Sequence, residues 1–124
     1  MSRILVVDDD PGIVQLISFR LTRSGFEVDT AADGESALGR IRDTPPDLVL
    51  LDILMPGLSG LDVLAEIRAS EQTAQLPVIM LTAKTLEGDI ELGFERGATD
   101  YIVKPFSPRE LVSRVNAAIA RTGG

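Results

Sequence analysis

What most constrains this chain is a recurring pattern. Apolar runs at residues 4–7, 48–51, 78–81 and 101–103 are each followed within a few residues by a longer amphipathic stretch. This is the alternation of strands with helices. The first three runs are almost unbroken Val, Ile, Leu and Met, as expected of strands covered on both faces, and so of a parallel sheet. Residues 27–31, Glu-Val-Asp-Thr-Ala, alternate instead and predict an edge strand. Ile13, Leu16, Ile17, Arg20 and Leu21 follow helical spacing with one polar exception; Leu61, Leu64, Ile67 and Leu111, Val115, Ala118, Ile119 follow it with none. Two further helices are expected over 34–42 and 87–96, interrupted by Gly39 and Gly93, which disfavour a helix interior. Five such units fill 124 residues as one domain, 1–124, with its core at about 3–121. Right-handed crossovers turn them into a doubly wound three-layer α/β sandwich, whose ligand site lies at the carboxyl ends of the strands.

Composition narrows the chemistry available at that rim. The net charge is −7, which repels nucleic-acid phosphates and anionic membranes, so no direct nucleic-acid contact by this chain is expected. There is no Cys and no His, which removes disulfides, Cys/His zinc sites, thiol nucleophiles and imidazole catalysis. Carboxylates, hydroxyls and amines remain. No apolar run approaches the roughly 18 residues of a membrane span, and the N-terminus lacks a cleavable-signal pattern, so a cytoplasmic location is expected.

The residues just past the strong strands are Asp8, Asp9 and Asp10 after the first, Asp52 after the third, Thr82 after the fourth and Lys104 after the fifth. Four segments thus bring polar groups to one rim. Asp10 before Pro11 reads most simply as a helix N-cap followed by the proline favoured in the first turn. Asp8 and Asp9 repel one another unless a cation sits among them, and Mg²⁺, which takes one or two carboxylates plus waters and phosphate oxygens, satisfies them. Asp52 lies in an apolar context, where an isolated charge is costly. Beside a divalent cation it can act as a nucleophile toward phosphorus. Residues 56–60, Pro-Gly-Leu-Ser-Gly, read as a turn into the third helix. Thr82 can donate to a phosphoryl oxygen or serve structure alone. Lys104, before Pro105, can pair with the carboxylates or with a phosphoryl oxygen.

In these motifs, Ile-Leu-Val-Val-Asp8-Asp9-Asp10, Leu-Leu-Asp52-Ile-Leu-Met-Pro-Gly-Leu-Ser-Gly, Leu-Thr82-Ala and Asp-Tyr101-Ile-Val-Lys104-Pro-Phe, the chain resembles the receiver domains of two-component response regulators. The resemblance runs over nearly the whole chain. It implies a flavodoxin-like sheet of order 2-1-3-4-5 and phosphorylation of Asp52 by a sensor histidine kinase or phosphotransfer protein. It further implies Mg²⁺ held by Asp9, Asp52 and the backbone carbonyl of Leu54, with Asp8 acting through water. Lys104, through a cis Lys104–Pro105 peptide, is implied to bind a phosphoryl oxygen, and Thr82 with Tyr101 to switch the surface of the fourth helix, fifth strand and fifth helix. That surface forms homodimers in part of the family, and Asp100, Glu110 and Arg114 fit its charge pattern, although the basic residue expected near Ile90 and Glu91 is missing. Residues 104–111 are most similar to receivers that precede a winged-helix DNA-binding domain. Leu54 and Lys84 stand where the family varies the lifetime of the phosphorylated state. Neither accepts a proton from an attacking water, so Leu54→Asn with Lys84→Glu is expected to dephosphorylate about tenfold faster, for an alignment worth about 1.4 kcal/mol.

Two rival readings come from other classes. A haloacid-dehalogenase-type phosphatase would use the Asp-x-Asp of Asp8 and Asp10 with Thr82, but it needs a late acidic pair where this chain has Lys104-Pro105, and it leaves Asp52 idle. An interaction domain keeping only the fold leaves the whole acidic set unexplained. Nucleotide binding has no glycine-rich loop behind it.

Overall fold

The structure is a computed structural model that describes residues 2–83 and 87–123. Along the chain run β1 (Arg3–Val7), α1 (Pro11–Arg23), β2 (Glu27–Ala31), α2 (Gly34–Asp43), β3 (Leu48–Asp52), α3 (Gly60–Ala69), β4 (Val78–Ala83), α4 (Glu87–Glu95), β5 (Asp100–Lys104) and α5 (Pro108–Gly123). The strands form one parallel sheet of order β2-β1-β3-β4-β5. Because successive side chains of a strand point to opposite faces, each central strand feeds two cores. Leu5, Val7, Val49, Leu51, Val78 and Met80 pack with α2 and α3 on one face. Ile4, Val6, Leu48, Leu50, Ile79 and Leu81 pack with α1 and α5 on the other. Burial on both faces is why these strands read as unbroken apolar runs. Strand β2, with only Ala31 fully buried, is the edge that its alternation predicts.

Helix starts follow from local chemistry. Asp10 caps α1 by accepting from the Gly12 N–H at 2.9 Å, with Pro11 in the first turn. Asp33 caps α2 through the Ser36 N–H. Ser59 and Asp62 form a reciprocal capping box on α3. Neither Gly39 nor Gly93 breaks its helix; α2 and α4 run through them. Helix α4 closes in a glycine-terminated double turn: Ala98 N–H donates to the Gly93 carbonyl and Gly97 N–H to that of Phe94, with Gly97 at φ +103°.

Two expectations shift. Leu16 shares the spacing of the α1 core residues yet is 43% exposed, and Phe19 is 56% exposed; Ile17 and Leu21 make the contact with the sheet. Strand β4 extends to Ala83, so Thr82 lies within the strand rather than past its end. The Lys104–Pro105 peptide is cis. Half-buried Arg68, at the end of α3, donates Nε to the Gly97 carbonyl at 3.0 Å and Nη1 to that of Thr73 at 3.2 Å. Burial lowers its pKa, and no carboxylate pairs with it among the described residues. No helix of the described residues is long and apolar enough to cross a membrane.

Candidate phosphoacceptor and metal site

The carboxyl ends of β1, β3 and β5 converge on one cluster. Asp8 follows β1 and is fully buried; Asp52 closes β3 and is 7% exposed; Lys104 closes β5. The Lys104 Nζ donates to Asp8 Oδ2 at 2.9 Å and to Asp52 Oδ1 at 3.3 Å, bridging residues 96 and 52 positions apart in sequence. The second oxygen of Asp8 accepts from the Asp10 N–H at 2.9 Å. Asp9 is exposed at the mouth. The rim foreseen for Asp8, Asp9, Asp52 and Lys104 is therefore real, and an ammonium sits inside it.

Charge sets the properties of these groups. Burial, then the Asp8 carboxylate, push the Asp52 pKa up to about 6, with Lys104 opposing. At neutral pH Asp52 is still mainly ionised, yet more basic than an ordinary carboxylate, as suits an oxygen nucleophile. Burial pulls the Lys104 pKa down, but the hydrogen bond to Asp8 and the charges of Asp52 and Asp8 outweigh it, so the net shift is upward and the amine stays protonated.

One oxygen each from Asp8, Asp9 and Asp52 lie within 4.8 Å of one another, and two of the three residues are buried. An all-oxygen anionic set that closely spaced, with one member open to solvent, fits a hard divalent cation that keeps some of its waters. Leu54, two residues past Asp52, is 60% exposed. Lys84 lies outside the described residues.

Thr82 and Tyr101 behave less simply than the sequence suggests. Thr82 is buried, and its hydroxyl donates to the Ala83 carbonyl at 3.2 Å rather than to a group of the acidic cluster. Tyr101 is already buried in this structure at 6% exposure, with its hydroxyl donating to the Asp89 carbonyl of α4 at 3.2 Å and its ring 4.7 Å from that of Phe94. The charges thought to serve a dimer are satisfied within the chain: Arg114 meets Asp100 at 3.0 Å and Glu110 at 3.3 Å.

One contributor escaped the sequence reading. Gly60, read there as part of a turn, starts α3, and a Cβ on it would overlap the carbonyl oxygen of Asp52 and lie 2.8 Å from the Ile53 Cα. Its N–H donates to the Ile53 carbonyl at 2.8 Å. Helix α3 thereby rests directly on the backbone of Asp52 and Ile53. A glycine where a loop meets a helix was the only available signal, and a turn explains it equally well.

A doubly wound sheet of this order with an acidic, lysine-bridged cluster at its carboxyl rim has the architecture of a receiver domain. Residues 4–116 match the response regulator receiver domain family, and the chain belongs to it. It is a receiver domain of two-component signal transduction. It is 48% identical to the DNA-binding response regulator MtrA of Mycolicibacterium smegmatis, over 96% of this chain and 51% of that protein. It is also 48% identical to the alkaline phosphatase synthesis transcriptional regulatory protein PhoP of Bacillus subtilis, over 97% and 49%. The chain thus spans about half the length of these curated relatives. Among solved structures it is similar to the chemotaxis protein CheY4 of Vibrio cholerae, with TM-score 0.90, 35% identity and 95% and 98% of the two chains covered. It is similar also to the receiver domain of NtrX from Brucella abortus, with TM-score 0.86, 41% identity and 97% and 99% covered.

Proposed function

We propose that Asp52 accepts a phosphoryl group from a sensor histidine kinase or phosphotransfer protein. The observation that carries this reading is the Lys104 ammonium held between the Asp8 and Asp52 carboxylates. An Asp52 oxygen attacks phosphorus, its bond to phosphorus forms as the donor's phosphorus–nitrogen bond breaks, and the imidazole leaves. Lys104, already 3.3 Å from Asp52, binds an oxygen of the arriving group. Asp9, Asp52 and the Leu54 backbone carbonyl would hold Mg²⁺, with Asp8 assisting through water. When bound, that ion neutralises charge on the phosphoryl oxygens. The domain assists its own phosphorylation and dephosphorylation and turns over no third substrate.

Thr82 and Tyr101 relay the change to the face of α4, β5 and α5. A second copy docks on that face, and because α4 has no Lys or Arg and Arg114 is paired internally, such a dimer requires Arg114 to exchange partners. Residues 1–124 act as one receiver unit in the cytoplasm, governing an output half like that of the DNA-binding relatives.

Acetyl phosphate with Mg²⁺ is expected to add one phosphoryl group to Asp52, located by mass spectrometry. An adduct that persists at the same stoichiometry in Asp52→Asn overturns the assignment.

A further inference from the structure

Helix α4 lies against the core through the partly buried side chains of Ile90 and Leu92. Of its described residues, Gly93 alone is buried. What fills the space in front of Gly93 is the end of the Tyr101 ring. A Cβ on Gly93 would overlap the Tyr101 hydroxyl and lie 2.8 Å from Cζ, with Leu61 Cδ2 at 3.5 Å behind it. The same hydroxyl donates to the Asp89 carbonyl one turn earlier on α4, while Phe94 flanks the ring. Three features of α4, a missing side chain, a backbone carbonyl and an aromatic ring, thus form a slot shaped to one phenol. Glycine disfavours a helix interior relative to Ala, so local helix formation gives no reason for it at this position.

We propose that Gly93 is a positioning residue of the switch: its missing side chain makes the seat that fixes Tyr101 in its inward place, joining α4 to β5 through one ring. The role of that seat in signalling rests on Tyr101 relaying phosphorylation of Asp52; the seat itself rests on packing alone. The hydroxyl is shielded enough that burial, then the Asp89 charge, push its pKa up to about 12. Any larger residue at 93 evicts the ring or lifts α4 from the sheet.

The chain contains a single Tyr and no Trp, so its tyrosine emission reports on this ring alone. In the parent, acrylamide is expected to quench that emission weakly. In Gly93→Ala the quenching constant is expected to rise several-fold, toward that of a free tyrosine derivative. A ring that stays shielded in a folded Gly93→Ala overturns the proposal. Should that variant fail to fold, the cycle with Tyr101→Ala decides. Removing the ring is expected to rescue Gly93→Ala, making its effect on the unfolding constant at least about tenfold smaller than in the Tyr101 background. Additive effects, or a double variant that also fails to fold, overturn it. Acetyl phosphate labelling of the parent checks the other reading separately: quenching as expected with no label on Asp52 supports the seat and removes only the phosphoacceptor assignment.

Discussion

Helices α3 and α4 lie next to one another in the chain order of the fold but are held in different ways. Helix α3 buries Gly60, Leu61, Val63, Leu64 and Ile67 and starts in a reciprocal capping box. Helix α4 buries one glycine among its described residues and leaves Phe94 half exposed. The first is a fixed support, pressed on the Asp52 carbonyl. The second packs only partly buried Ile90 and Leu92 against the core and receives the Tyr101 ring of β5. The helix with the larger buried face is thus the one beside the acidic cluster, and the helix with the smaller one lies across the Tyr101 ring.

The comparison breaks most readily at α3. Leu64→Ala, which empties a fully buried site, is expected to lower the unfolding free energy by about 2–5 kcal/mol in urea titrations. Phe94→Ala should cost no more than about 1 kcal/mol, because its ring is half in water. Equal losses would erase the distinction between the two helices.

A smaller effect concerns the charge that α3 helps to hold. The Asp52 pKa is raised from 3.8 to about 6, so between those values the folded chain keeps a proton that the unfolded chain has released. Stability attributable to this group therefore falls as pH rises from about 4 to 6, and the penalty is constant above that window. In metal-free buffer Asp52→Asn is expected to be more stable than the parent by about 1–3 kcal/mol at pH 7.5, with the difference vanishing below pH 4. A variant less stable than the parent at pH 7.5 would mean that the bond to Lys104 outweighs desolvation. Smaller again, Ser59→Ala should cost about 1 kcal/mol by removing the cap of α3, measured in the same titrations.

The same contrast explains what the sequence revealed. Strands β1, β3 and β4 were legible because burial on both faces leaves them almost no polar residue, and α3 because its buried positions keep helical spacing. Asp8, Asp52 and Lys104 stood out as polar residues at the ends of apolar strands, where a charge needs a partner, and the structure pairs them with one another. Leu16 misled because periodicity tells which positions share a helix face, and not how far the sheet extends beneath it. The internal pairing of Arg114 with Asp100 depends on how α5 returns across β5, which no local pattern encodes. Gly60 and Gly93 were read as a turn residue and an interruption, since the meaning of a glycine lies in what approaches it.

The guanidinium of Arg68 also bears on how α4 can travel. It pins the Gly97 carbonyl, just past the C-terminal end of α4, to the end of α3 and to the loop at Thr73. A rod about 13 Å long fastened at one end does not slide; it swings. A rotation of about 10° then carries its N-terminal end by about 2 Å and its C-terminal end hardly at all. Arg68→Ala is expected to loosen that end, so that amide exchange at Gly97 and Ala98 is faster in the variant than in the parent.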